Sequence, residues 1–219
     1  MIYKSYNSYK TYKPYKFYKP YKIYNNLLQV ITIKNMNNMS EFLKIAGDYT
    51  DWNVYKKSVI ICDVTELFIN RALPAGTRTV DQMRQAARSC KQNIVEGISD
   101  ATVSAEICIK LLGIARGSIR ELLEDYNDYL RQHQLTIWPK DDERTRITRE
   151  YCFNNDDPQV FTEKCRERSD ETVANIMITQ IRQLDAMLAK VLKKIEAEFI
   201  ESGGIKEAMS RARRQNRGF

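Results

Sequence analysis

Arg84, Arg88 and Lys91 stand at i, i+4 and i+7, a spacing that places three cations on one side of a helix, away from the Val80–Ile94 seam described below. Cations in that arrangement can hold successive phosphates of a nucleic acid without reading its bases. The other reading is a solvated face with intramolecular partners, for which an acid such as Glu106 is available. A second cationic run, Arg211, Arg213, Arg214 and Arg217, lies in "IKEAMSRARRQNRGF", where Glu207 is the one acid. Such a run either binds nucleic acid through charge and orders on binding, or is a soluble, frayed terminus. Glu121, Glu124 and Asp125 cluster elsewhere, but a di-metal helical bundle needs a Glu-x-x-His motif on each of two helices, and His133 is the only histidine. Cys62, Cys90, Cys108, Cys152 and Cys165 are odd in number and form no CxxC pair, so neither a zinc site nor a disulfide framework is indicated. They suit a reducing, cytoplasmic setting. No serine or cysteine has a base partner evident in the sequence, and no GxxxxGK[ST] phosphate loop is present. The expectation is a non-enzymatic binding protein with no cofactor and no metal.

The elements that must carry these residues are helical. Asp51 is a plausible N-cap for a first helix near 52–71, with Trp52, Tyr55, Val59, Leu67 and Phe68 near its buried face, ended by Pro74 and Gly76 in "ALPAGTRT". A second helix near 80–97 opens on a capping box, Thr79 to Gln82, and carries Val80, Met83, Ala87, Cys90 and Ile94 at alternating spacings of three and four. Gly97 closes it as the residue after the helix. A third helix near 101–132 contains Gly113 and Gly117. These two, with Ala115 and Ser118, would let another helix approach closely, although tolerated surface glycine is the alternative. Residues 134–169 read as an irregular insert in which Trp138 docks onto the helices and Asp157-Pro158 starts a short helix ending near Arg168. A fourth long helix near 171–200 ends at "SGG", Ser202 to Gly204, before a basic tail at 203–219. The economical fold is all-α: an antiparallel up-down four-helix bundle over residues 39–202, with a long connection before its fourth helix. No stretch approaches the ~20 apolar residues of a membrane span.

The segments "QMRQAARSCKQNIVEG" and "LLGIARGSIRELLEDYNDYL" carry a resemblance. They resemble the bacterial four-helix bundle protein family, which includes proteins encoded in intervening sequences of 23S ribosomal RNA genes and an accessory protein of diversity-generating retroelements. The matching positions are Gln82, Arg84, Ala86, Ala87, Ser89, Asn93, Ile94, Glu96, Gly97, Gly117, Ser118, Glu121 and Leu122. Gln85 stands where the family carries a second arginine, and Cys90 and Lys91 follow the serine in place of an aliphatic residue. The ending "EFIESGGIKEAMSRARR" is similar to a subgroup with a distinct C-terminal suffix. The resemblance implies a homo-oligomeric ring, a pentamer in relatives, and in the retroelement relative a basic ring that binds nucleic acid and a reverse transcriptase. On that basis Ala86, Ala87, Ser89, Asn93, Glu96, Gly97, Gly117 and Ser118 are candidate packing or subunit-contact positions, joined by Gly113 from the small-residue cluster of the third helix. Asn93 and Glu96 have a competing reading as caps that tie down the helix end.

The formal net charge of +7 is misleading by location. Residues 1–35 hold seven lysines and no acid, and without them 28 basic and 28 acidic residues remain. The same stretch repeats tyrosine at every third position from Tyr3 to Tyr24, a period that matches polyproline II rather than helix or strand. One reading is an extended arm that stacks tyrosines on bases while lysines meet phosphates. The other is a low-complexity, disordered or non-native extension over residues 1–38, with a start at Met36 or at Met39 in "MSEFLK", of which the resemblance favours Met39. Two functions follow: a nucleic-acid-binding accessory protein taking RNA or DNA, or an oligomeric scaffold that binds only protein. The neutral balance after residue 35 favours the second.

Overall fold

A computed structural model describes residue 50 and residues 52–100, 104–202, 210 and 213–214. The Tyr/Lys extension, the start at Met39, the cap at Asp51, the stop at Gly203 and Gly204, and the tail residues Arg211 and Arg217 lie outside the described residues. The described chain is all-helical, with six helices and no strand: α1 (Asn53–Ala72), α2 (Arg78–Asp100), α3 (Ala105–Gln132), α4 (Glu143–Asn154), α5 (Pro158–Arg166) and α6 (Asp170–Ser202).

Local chemistry sets most boundaries. Gly76, with φ of 75°, makes the turn between α1 and α2 in a conformation that other residues resist. The capping box expected at Thr79 does not form. The helix starts at Arg78, immediately after that turn, so Thr79 is already inside it. Gly97 does not end α2 either, and the helix continues to Asp100. A Cβ on Gly97 would lie 3.3 Å from both Leu111 Cβ and Leu112 Cδ2, so this glycine permits α2 and α3 to approach closely. Ser104 caps α3 by accepting from the Ile107 amide at 3.3 Å, and Gln134 terminates its last turn in the left-handed region at φ 56°.

The stretch 134–169 is not irregular: it holds α4 and α5. Asp157 caps α5 as expected, accepting from the Gln159 and Val160 amides at 2.9 and 3.0 Å, with Pro158 in the first turn. Asp142 caps α4 in the same way through the Arg144 amide at 2.8 Å. Trp138 docks as expected: it is buried, and its amide donates to Asn175 Oδ1 at 2.8 Å.

Each of the four long helices packs against two others, α1 and α3 each touching α2 and α6. Helix α5 lies on α1, and α4 on α6. The apolar stripes meet in one core that includes Phe68, Met83, Ile94, Ile119, Leu122 and Leu184, none of them exposed. Burial of each such side chain contributes about 1.5–3 kcal/mol. Tyr126 is also in this core and satisfies its hydroxyl by donating to Thr65 Oγ1 at 3.1 Å, with the Phe68 ring 4.9 Å away. At the periphery, ion pairs tie Arg71 to Asp170, and Arg116 and Arg120 to Asp185.

Candidate functional site

The cationic triad of α2 is divided. Arg84 Nε and Nη2 grip the Glu66 carboxylate of α1 at 2.9 and 3.0 Å, with a longer 3.4 Å contact to Asp81. The acid partner therefore comes from α1 rather than from Glu106. Arg84 is occupied, and its hydrogen bonds hold Glu66 below the usual carboxylate range. Arg88 is exposed and Lys91 half-buried, and neither forms an ion pair among the described residues. Both lie close enough to Cys62 of α1 to favour its thiolate, so the triad borders the α1–α2 seam. In the tail, Arg213 and Arg214 are exposed and helical.

The positions that carry the resemblance act mainly between α2 and α3. Asn93 Nδ2 donates to the Ser89 carbonyl at 2.8 Å, and Ser89 Oγ lies 2.9 Å from Ser118 Oγ across the helix pair. Neither Asn93 nor Glu96 caps the helix end: Glu96 is exposed and accepts from Gln92, one turn back, at 3.0 Å. Ala86 and Ala87 are buried beside this network. Gly113 and Gly117 differ from Gly97. Both are exposed, and a Cβ at either would meet nothing within 4 Å, so no helix among the described residues approaches them.

A groove of about 620 Å³ runs beside this network, and its charge is acidic: Asp81, Glu121, Glu124 and Asp125 line it against Arg78. It would repel phosphate. Asp125 is pushed up to about 6, first by burial and then by the neighbouring Asp128 and Glu121 charges. A carboxyl raised on folding favours the folded state while it is protonated. Its contribution is complete below about pH 4 and is lost as pH climbs through about 6. Asp125→Asn should therefore flatten the stability profile between pH 4 and 6. At pH 7 it should add about 1 kcal/mol, discounted for the solvent that reaches this half-buried group. Urea melts across that pH range check both expectations, and an unchanged profile would show that Asp125 titrates normally.

One basic surface among the described residues is not legible in the sequence. Two adjoining hollows of about 590 and 830 Å³ share Arg149, Gln183 and Ala186, and together form one cleft between α4 and α6. Lys57, Lys140, Arg146, Arg149, Arg182 and Lys190 line it against a single acid, Glu150. Lys140, Arg149, Arg182 and Lys190 form no ion pair among the described residues, and Arg146 has only a 3.4 Å contact to Glu143. Phe153 stands at the edge, 79% exposed. Lys57 differs from the other cations because it is buried. Its ammonium donates to the Cys152 carbonyl, to Gln180 Oε1 at 3.2 Å and to Gln183 Oε1 at 3.1 Å, tying α1, α4 and α6 together. Burial pulls its pKa below the ordinary lysine value, while the neighbouring Cys152 and Asp156 oppose that shift. The available signal was Arg146 and Arg149 in one segment with Arg182 and Lys190 in another. They become neighbours only once α4 exists and lies on α6.

The thiols are quiet. Burial pushes Cys62 and Cys165 up to about 11 and Cys152 to about 12, so all three stay protonated near neutrality. His133 is spent locally, its ring over Tyr129 and Nδ1 2.8 Å from the Tyr129 carbonyl. Among the described residues no group of His, Cys, Asp or Glu is placed to hold a metal, and no helix is long and apolar enough to cross a membrane. No family model, no curated protein and no solved structure matches the chain.

Proposed function

We propose that this chain is a non-enzymatic, cytoplasmic helical-bundle protein that binds the phosphate backbone of nucleic acid as an accessory factor. The observation that carries the reading is the α4–α6 cleft, where four cations without ion pairs face one acid. Arg88, Lys91, Arg213 and Arg214 would extend the contact. Positive charge free of internal partners is what a phosphate backbone rewards, through release of its condensed counterions. The underlying bundle is antiparallel and up-down. Supporting this, contacts between neighbouring helices run in opposite order along the chain: Glu66 with Arg84 and Cys62 with Ala87, then Ser89 with Ser118 and Gly97 with Leu111. Along α1 and α6, Lys57 meets Gln180 while Arg71 meets Asp170.

Membership of the bacterial four-helix bundle protein family, with its ring assembly and reverse-transcriptase partner, rests on the resemblance of α2 and α3. Exposed Ile107 and Ile114, two turns apart on α3, lie on the side that carries the open Gly117 and support self-association. That face also favours the second reading, an oligomeric scaffold for protein alone. Fluorescence anisotropy with a labelled single-stranded RNA and a duplex DNA separates the two. Binding should weaken with salt along a log–log slope of about −3, as expected for roughly four neutralised phosphates. Absence of binding to either probe at low salt overturns the nucleic-acid reading and leaves the scaffold.

A further inference from the structure

We infer that the hollow walled by α4, α5 and the start of α6 is a binding site for a small aromatic carboxylate. It encloses about 430 Å³, within the range of small-molecule pockets, and shares only Trp138 with the basic cleft. The inference therefore stands apart from the nucleic-acid reading.

The walls are aromatic. Trp138 and Phe161 are buried, and the Tyr151 and Phe161 rings lie 5.6 Å apart, with Ile147 and Ile176 completing an apolar lining. A flat ring fits such walls through offset or edge contacts. Two of the aromatic walls already hold a cation. Lys164 Nζ sits 4.5 Å from the Tyr151 centroid, and the Arg144 guanidinium 4.9 Å from the Trp138 centroid. Arg144 is engaged by Asp142 through two hydrogen bonds, at 3.0 and 2.7 Å. Lys164 and Arg168 form no ion pair among the described residues, and Glu167 is the only acid in the lining. The charge left for a ligand is therefore positive and lies beside the aromatic surface.

The Tyr151 hydroxyl has no hydrogen-bond partner among the described residues, but it is closed off from solvent and reaches a ligand only if the ring shifts, so the aromatic walls and the free cations carry the site. The matching occupant has one or two fused rings and a single anionic group placed toward Lys164 and Arg168. Cys165 lines the same hollow but is pushed up to about 11 by burial, so capture is non-covalent.

Titration calorimetry on the full chain tests this with 2-naphthoate, and with 2-naphthylmethylammonium as the cation of similar shape. Naphthoate should bind at least about tenfold tighter than the amine, the difference one favourable charge contact makes. Lys164→Gln with Arg168→Gln should weaken naphthoate about tenfold while lowering the thermal melt by no more than about 4 °C, because both side chains are exposed and only the Lys164–Tyr151 contact is given up. Ile176→Trp should abolish binding by filling the hollow; if that variant does not fold, the double variant decides alone. No naphthoate binding up to about 5 mM, equal binding of the amine, or indifference to the double variant overturns the proposal.

Discussion

Lys57→Met is expected to lower the free energy of unfolding by about 3 kcal/mol, the cost of leaving two buried acceptors and one half-buried acceptor without a donor. Those acceptors are the Cys152 carbonyl, Gln180 Oε1 and Gln183 Oε1, and Met supplies volume but no N–H. Part of the loss is offset because burial already disfavours the ammonium, which is why the figure stays below the sum of three broken hydrogen bonds. The loss should also be local. Helix α4 buries only Thr145 and Cys152 of its own residues, and this lysine, with the bond from Gln183 Nε2 to the Arg149 carbonyl at 2.8 Å, fastens it to the body. Amide exchange across residues 143–154 should accelerate before the rest of the molecule is affected. Urea unfolding together with exchange measures both effects. A change below about 0.5 kcal/mol with α4 still protected would mean that the ammonium fastens nothing.

The second large effect separates three glycines that look alike in the sequence. Gly97→Val should cost about 2–3 kcal/mol, because the first added carbon already stands 3.3 Å from Leu111 and Leu112 and valine adds two more. Gly117→Ala should instead stabilise the folded chain by up to about 1 kcal/mol, because nothing lies within 4 Å and alanine is the better helix former. Gly113→Ala should behave as Gly117→Ala does. Denaturant midpoints for the three variants check this contrast. A neutral Gly97→Val would show that α2 and α3 can part without cost. In the assembly reading, Gly117→Ala has a further consequence: light scattering should show a weakened oligomer even as the subunit gains stability.

These glycines also show what the sequence could and could not disclose. The core helices were legible because Val80, Met83, Cys90 and Ile94, like Cys108, Ala115, Ile119 and Leu122, repeat at helical spacing and are buried. Gly97 was misread as a helix stop because glycine serves both for chain reversal and for close approach, and only the position of Leu111 and Leu112 decides between them. Gly113 and Gly117 fit either a close-packing pair or tolerated surface glycine by sequence, and among the described residues nothing lies within 4 Å of a Cβ at either. Helix α4 was missed for a physical reason. It buries so little apolar surface that it leaves no stripe, and its stability comes from the Asp142 cap and the Lys57 anchor, which are long-range or single-residue features. The cleft that α4 forms with α6 leaves no trace in the sequence, whereas Arg84, whose charge is taken by Glu66, stands in a visible row of cations. The Ser89, Asn93 and Ser118 network was anticipated as a set of positions, but not as one hydrogen-bonded chain.

The most direct test compares the salt dependence of RNA binding for two variants in the full chain. One carries Arg149→Gln, Arg182→Gln and Lys190→Gln in the cleft; the other carries Arg88→Gln and Lys91→Gln on α2. Loss of three phosphate contacts should flatten the log–log slope by about 2 for the cleft variant, and loss of the two extending contacts by no more than about 1.4 for the α2 variant. An unaltered slope in the cleft variant, with RNA still bound as tightly as by the parent chain, would contradict the placement of the phosphate backbone between α4 and α6.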